Sequence, residues 1–143
     1  MTVAHILDAK GGTVVTIAPD QTIAQVAALL AAKGIGAVLV TSGEQELVGI
    51  LSERDIIRAL ARDGAAVLDS KASTLMTARV TTATRKMTIE EAMTRMTSGR
   101  FRHLPVVEGG KLLGLISIGD VVKHRIEQVE TEKKSMLDYI GAS

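Results

Sequence analysis

The chain of 143 residues contains no cysteine and no tryptophan. Without cysteine there is no disulfide, no thiolate nucleophile and no sulfur ligand for a metal. A single Phe and a single Tyr leave nothing from which to build the stacking platforms that hold single-stranded nucleic acid. Because 46% of the residues are hydrophobic and only 1% aromatic, the core has to be built from Ala, Val, Ile, Leu and Met. Neither sign of charge predominates: the net charge is +1, which argues against nucleic acid or another polyanion as partner. No run approaches the ~18 apolar residues that span a bilayer. The opening "MTVAHILDAK" has no basic segment followed by a long apolar one, so no membrane association and a cytoplasmic location are expected. His5 and His124 show no ligand spacing, and no metal is expected. No Ser/His/Asp set carries an oxyanion motif such as G-x-S-x-G, and "EGGKLLG" lacks the Lys-Ser/Thr ending of a phosphate loop, so no catalysis is expected.

What the chain does have is one unit written twice. "GILSERDII" at 49–57 returns as "GLISIGDVV" at 114–122. Gly49 and Gly114 are 65 apart, as are Asp55 and Asp120, while Thr22-Ile23 and Thr88-Ile89 are 66 apart. The missing residue falls where "TSGEQE" becomes "VEGGK", a turn of variable length. Further upstream "HILDAKG" loosely echoes "STLMTAR". Each copy reads β-α-β-β-α. The extended runs are Thr13–Ile17 and Val80–Ala83. The helices place Ile23, Val26, Ala27 and Leu30, or Ile89, Ala92, Met93 and Met96, on one face. Both open on capping boxes, Thr22-x-x-Gln25 and Thr88-x-x-Glu91. Both end near a glycine suited to a left-handed cap, Gly34 or Gly99. The hairpin strands are "IGAVLV" with "LVGIL", and "RHLPVV" with "LLGLI". Their nearly continuous apolar character implies sheets covered on both faces. Copy one is assigned 1–64 and copy two 65–143, with 65–78 as linker. From Val121 a longer helix aligns Val122, Ile126, Val129, Met136 and Ile140, a face for packing or dimerisation.

Ser52-x-x-Asp55 and Ser117-x-x-Asp120 admit two readings. One is a capping box at a helix start. The other is a ligand corner, because each motif sits at the exit of an apolar strand, where open α/β sheets bind their ligands against helix N-termini. There a Ser hydroxyl and free N–H groups suit phosphate, and a carboxylate suits two ribose hydroxyls. Arg54 adds positive charge beside the first helix start, where copy two has Gly119. "SGRFRHLPV" brings Arg100, Arg102 and His103 to the mouth of an apolar strand, where a long cation needs a partner and an anion would serve. Pro105, mid-strand, implies an edge or an unpaired position, leaving backbone free near a pocket.

These motifs resemble tandem cystathionine-β-synthase (CBS) domains, the pair often called a Bateman module. The matching stretches are "PDQTIAQVAALL", "GAVLV", "LVGILSERD", "LMT" at 75–77, "TIEEAMTRM", "RHLPVV" and "LLGLISIGD". The resemblance implies an α+β fold of two pseudo-symmetric repeats packed sheet to sheet, with a long C-terminal helix and no attached enzyme or channel. It also implies non-catalytic binding of an adenine nucleotide (AMP, ADP, ATP or NADH) in clefts between the repeats, usually within a homodimer that signals to a regulated protein. Carried over residue by residue, one cleft joins Ser52, Arg54 and Asp55 to Val80, Thr81, Arg102, His103 and Pro105. The other joins Ser117, Gly119 and Asp120 to Thr13, Val14, Gly36 and Ala37. Only the first cleft has the strand cations, so stronger phosphate binding is expected there. The rival expectation is an interaction module whose clefts stay empty.

Overall fold

In the computed structural model, residues 1–11, 14–43 and 46–142 are described. They form two compact units: Thr13–Thr81 with Gly109–Leu112, and Met1–Gly12 with Thr82–Glu108 and Leu113–Ser143.

The unit around the first repeat contains a three-stranded sheet. Strand β1 (Thr16–Ile17) runs parallel to β2 (Ala37–Ser42), which is antiparallel to β3 (Glu46–Ser52). A register shift falls between Val40 and Thr41. Helix α2 (Ile23–Lys33) opens on the expected capping box: Thr22 Oγ1 accepts from Gln25 N–H, and Gln25 Oε1 accepts from Thr22 N–H. It closes on Gly34 in the left-handed conformation, φ 63°. Helix α3 (Glu53–Asp63) follows β3 directly. Ile23, Val26, Val38, Val40 and Leu51 form the centre of the core.

The segment assigned as a linker is built into this unit. A 3-10 turn (Ala65–Asp69) and the short helix α4 (Ala72–Leu75) deliver Val67 and Ala72 to the core. Thr77 pairs with Ile50, each N–H donating to the other's carbonyl. Met76 then lies so close to Gly49 that any Cβ there would fall into its side chain. The glycine of the repeated motif is therefore a packing requirement.

The unit around the second repeat follows the same logic with a covering helix from the other end of the chain. Helix α1 (Val3–Lys10) packs Val3, Ile6 and Leu7 into a core with Ile89, Met96, Leu104 and Ile116. Its start is paired to Thr88, with Val3 N–H donating to Met87 O at 2.8 Å. Leu7 occupies the space over Gly114 that Met76 occupies over Gly49. The echo between "HILDAKG" and "STLMTAR" is thus an echo of two covering segments. Helix α5 (Ile89–Gly99), strands β4 (His103–Glu108) and β5 (Lys111–Ser117), and helix α6 (Ile118–Ala142) complete the unit. Thr88 Oγ1 accepts from Glu91 N–H, one half of the expected box.

Three expectations are corrected in this unit. The run Val80–Ala83 forms no strand; only Ala83 bridges to Val106. Pro105 explains this. In the first unit Leu39 N–H, at the matching place, donates to Val15 O at 3.3 Å, and proline has no N–H to give. Nor is the backbone at Pro105 free, because the residue is buried and its carbonyl accepts from Ala83 N–H at 2.8 Å. Finally, the left-handed cap of α5 is Arg100, φ 55°, and not Gly99. Gly99 is required because a Cβ there would strike the Phe101 ring.

A Gly49→Ala substitution is expected to lower stability by about 1–3 kcal/mol through overpacking. Urea unfolding of Gly49→Ala in wild-type and Met76→Ala backgrounds checks this: the loss should shrink when Met76 is truncated.

Candidate functional site

At the end of β3 the chain turns into α3 through Ser52, whose backbone is extended at φ −106° and ψ 160°. Asp55 Oδ2 accepts from Ser52 N–H and from Ser52 Oγ, both at 2.9 Å, and Asp55 N–H donates to Ser52 Oγ at 3.2 Å. Ala37 pairs with Ser52 across the ladder, and Glu53 N–H donates to Gly36 O at 2.9 Å. Gly36 and Ala37 thus lie beside the motif of their own repeat. Arg54 projects as an exposed side chain from the first turn.

The end of β5 repeats the corner. Asp120 Oδ2 accepts from Ser117 N–H at 2.9 Å, and Asp120 N–H donates to Ser117 Oγ at 3.1 Å. Ile118 N–H donates to Arg102 O at 2.8 Å, which brings Arg102, and His103 after it, to this corner. Inside each unit the grouping is therefore Gly36 and Ala37 with Ser52 and Asp55, and Arg102 with Ser117 and Asp120. Both carboxylates turn onto their own backbone, so the capping reading is realised at both corners. Gly119 is exposed, and a Cβ there would meet only Ser117 Oγ at 3.6 Å, so packing does not demand a glycine where the first motif has Arg54.

The remaining expected residues are scattered. Val14 and Val80 are half-buried and Thr81 is exposed, all in irregular backbone; Thr13 lies outside the described residues. Arg100 and Arg102 were expected to enter the strand and need a partner. Instead both precede β4 and are exposed, where water solvates them. Arg100 occupies backbone that favours glycine.

One residue of the second corner escaped the sequence reading. Lys10, the last residue of α1, reaches Asp120 Oδ2 at 2.7 Å and Leu115 O at 2.8 Å. Nothing local in "LDAKGG" signals a bond to a residue 110 positions away. Burial is the strongest single influence on the Asp120 carboxyl and pushes it up. The Lys10 hydrogen bond and charge, with the bonds from Ser117, together outweigh it and hold the group below the ordinary carboxylate range. Behind this corner the buried His124 Nδ1 bonds Asp120 O at 3.0 Å, a structural role. Among the described residues no group of His, Cys, Asp and Glu could hold a metal, and no helix is long and apolar enough to cross a membrane.

Two outcomes follow from this geometry. A carboxyl lowered on folding contributes stability that is present above its unfolded value, about 3.9, and that is lost as pH falls through the folded value. Lys10→Met should therefore move the acid-unfolding midpoint, followed by circular dichroism, to higher pH. Arg100→Gly should raise stability by about 1 kcal/mol in urea unfolding by relieving the left-handed backbone.

The family model described as "CBS domain" matches the chain twice, at residues 12–62 and 72–127. The mitochondrial CBS domain-containing protein CBSX3 of Arabidopsis thaliana is 31% identical over 147 aligned positions, covering 97% of this chain and 71% of that one. A CBS-domain protein of Agrobacterium tumefaciens, known as a crystal structure, is 47% identical and superposes with a TM-score of 0.85, covering 87% of this chain and 99% of its own. A CBS domain protein of Pyrobaculum aerophilum, solved in complex with AMP, is 28% identical with a TM-score of 0.74, covering 84% of this chain and 89% of its own. The twofold match, the two repeated units and these structural likenesses agree that the chain belongs to the CBS-domain family, as a tandem pair.

Proposed function

We propose that this chain is a non-catalytic regulatory module that binds an adenine nucleotide at its Ser-x-x-Asp corners. The observation that carries this reading is the corner itself. Twice, an apolar strand ends on a serine whose hydroxyl and partly accessible aspartate stand at the first turn of a helix. The carboxylate can exchange its own backbone and hydroxyl donors for two ribose hydroxyls. The serine hydroxyl, Arg54 and the helix-start N–H that the cap releases can take phosphate. Adenine would be held by aliphatic side chains and backbone, which fits a chain so poor in aromatics. The Pyrobaculum relative in complex with AMP supports the same ligand class, to which ADP, ATP and NADH also belong.

The residues group by the corner they share. Ser52, Arg54 and Asp55 act with Gly36 and Ala37; Ser117, Gly119 and Asp120 act with Arg102 and His103. Val14, Val80, Thr81, Thr13 and Pro105 belong to the binding set through the resemblance, and Arg100 precedes β4 as an exposed cation. Homodimerisation suits α6, which leaves Val122, Ile126, Met136, Leu137 and Ile140 exposed. That same face, with both caps complete, favours the second reading: an interaction module for a regulated protein, binding no nucleotide.

A thermal-shift panel of AMP, ADP, ATP and NADH separates the two. Ligand at 100 times its dissociation constant stabilises by about 2.7 kcal/mol. Asp55→Asn should abolish or halve that shift while leaving the helix intact, because Asn serves well near a cap. A panel without any shift would leave the interaction module.

A further inference from the structure

The two corners are built alike except at the carboxylate. At the first, Asp55 Oδ2 is bonded from within the motif, by Ser52 N–H and Ser52 Oγ at 2.9 Å each. At the second, Asp120 Oδ2 takes Ser117 N–H at 2.9 Å and the ammonium of Lys10 at 2.7 Å.

Lys10 is not a loose surface cation that happens to rest there. Its helix is fixed at the front by Val3 N–H on Met87 O at 2.8 Å and Ala4 N–H on Arg85 O at 3.0 Å, and underneath by the buried Val3, Ile6 and Leu7. The last turn of α1 then carries Lys10 to the end of β5, where Leu115 O accepts a second bond at 2.8 Å. The ion pair is itself half-sheltered, with Lys10 41% and Asp120 27% exposed.

Every hydrogen bond to a carboxylate is charge-assisted, but Lys10 adds the attraction of an opposite full charge at 2.7 Å, which no hydroxyl supplies. Ribose hydroxyls are neutral donors. At Asp55 they would displace neutral donors only: the Ser52 hydroxyl, which can turn to the ligand, and the Ser52 N–H, whose counterpart at Ser117 is common to both corners. At Asp120 they would have to displace or share a charged donor that the fold holds in place. We propose that Lys10 is an internal competitor at the Ser117–Asp120 corner, so that the chain takes nucleotide at the Ser52–Asp55 corner first. This rests on the nucleotide reading above and adds to it an order of filling. The inequality comes from α1, a segment outside both motifs, and not from the strand cations on which the sequence comparison of the two copies turned.

Isothermal titration of the full chain with AMP reads the order directly. Wild type is expected to bind one equivalent per chain at least tenfold more tightly than any second, and Asp55→Asn should remove it. Lys10→Met should bind two equivalents of similar affinity, the second lost in Lys10→Met/Asp120→Asn. Lys10→Arg, which keeps the charge, should behave as wild type, and Lys10→Gln replaces Lys10→Met if that variant does not fold. Two equal sites in wild type, or an unchanged stoichiometry in the neutral variants, would overturn the competitor while leaving nucleotide binding standing. No AMP binding by wild type or any Lys10 variant would overturn both.

Discussion

A helix that begins where a buried strand ends must find partners for its first N–H groups, and that constraint shapes this protein more than any other. The strands are apolar and their ends are half-buried, so water cannot be relied on to meet the need. Both copies meet it with a serine at the turn and an aspartate three residues on, reciprocally bonded. The same groups are what a nucleotide would use. On the proposed reading the cap and the candidate site are one set of atoms in two bonding patterns, and ligand binding would be a change of partners and not the filling of a ready-made hole.

On that reading affinity would be set by what the carboxylate gives up. At Asp55 it would give up bonds inside a single helical turn. At Asp120 it would give up a bond to another element, Lys10 of α1. Two nearly identical motifs can thus differ in behaviour through a residue in neither of them. On the solvent side the corners differ again, with exposed Arg54 at one and Gly119 at the other, where a Cβ would meet only Ser117 Oγ.

The features readable from sequence were those whose causes are local. The capping box at Thr22, the left-handed Gly34 and the serine–aspartate turns depend on residues within four positions of one another, and the pattern states them outright. The duplication was legible because it repeats those local causes in the same order. What could not be read depended on distant partners. Gly99 looked like a cap glycine, but Phe101 claims its space and passes the left-handed conformation to Arg100. The second copy's first strand looked equivalent to the first copy's, but one missing N–H at Pro105 reduces it to a bridge. The sequence marks 65–78 only as a linker and "HILDAKG" only as a loose echo of "STLMTAR". Only the fold shows that each covers the glycine of a different motif, Met76 over Gly49 and Leu7 over Gly114.

That last arrangement bears on how the protein is made. The first-repeat unit draws nearly all of its residues from one continuous stretch, 13–81, and can gather as soon as that stretch has left the ribosome. The second needs α1, which lies before that stretch in the chain, against β5 and α6, which lie after it. Its closure spans more than a hundred residues, a slow step by the usual relation between contact separation and folding rate. Until those later elements exist, Val3, Ile6 and Leu7 have no core to enter.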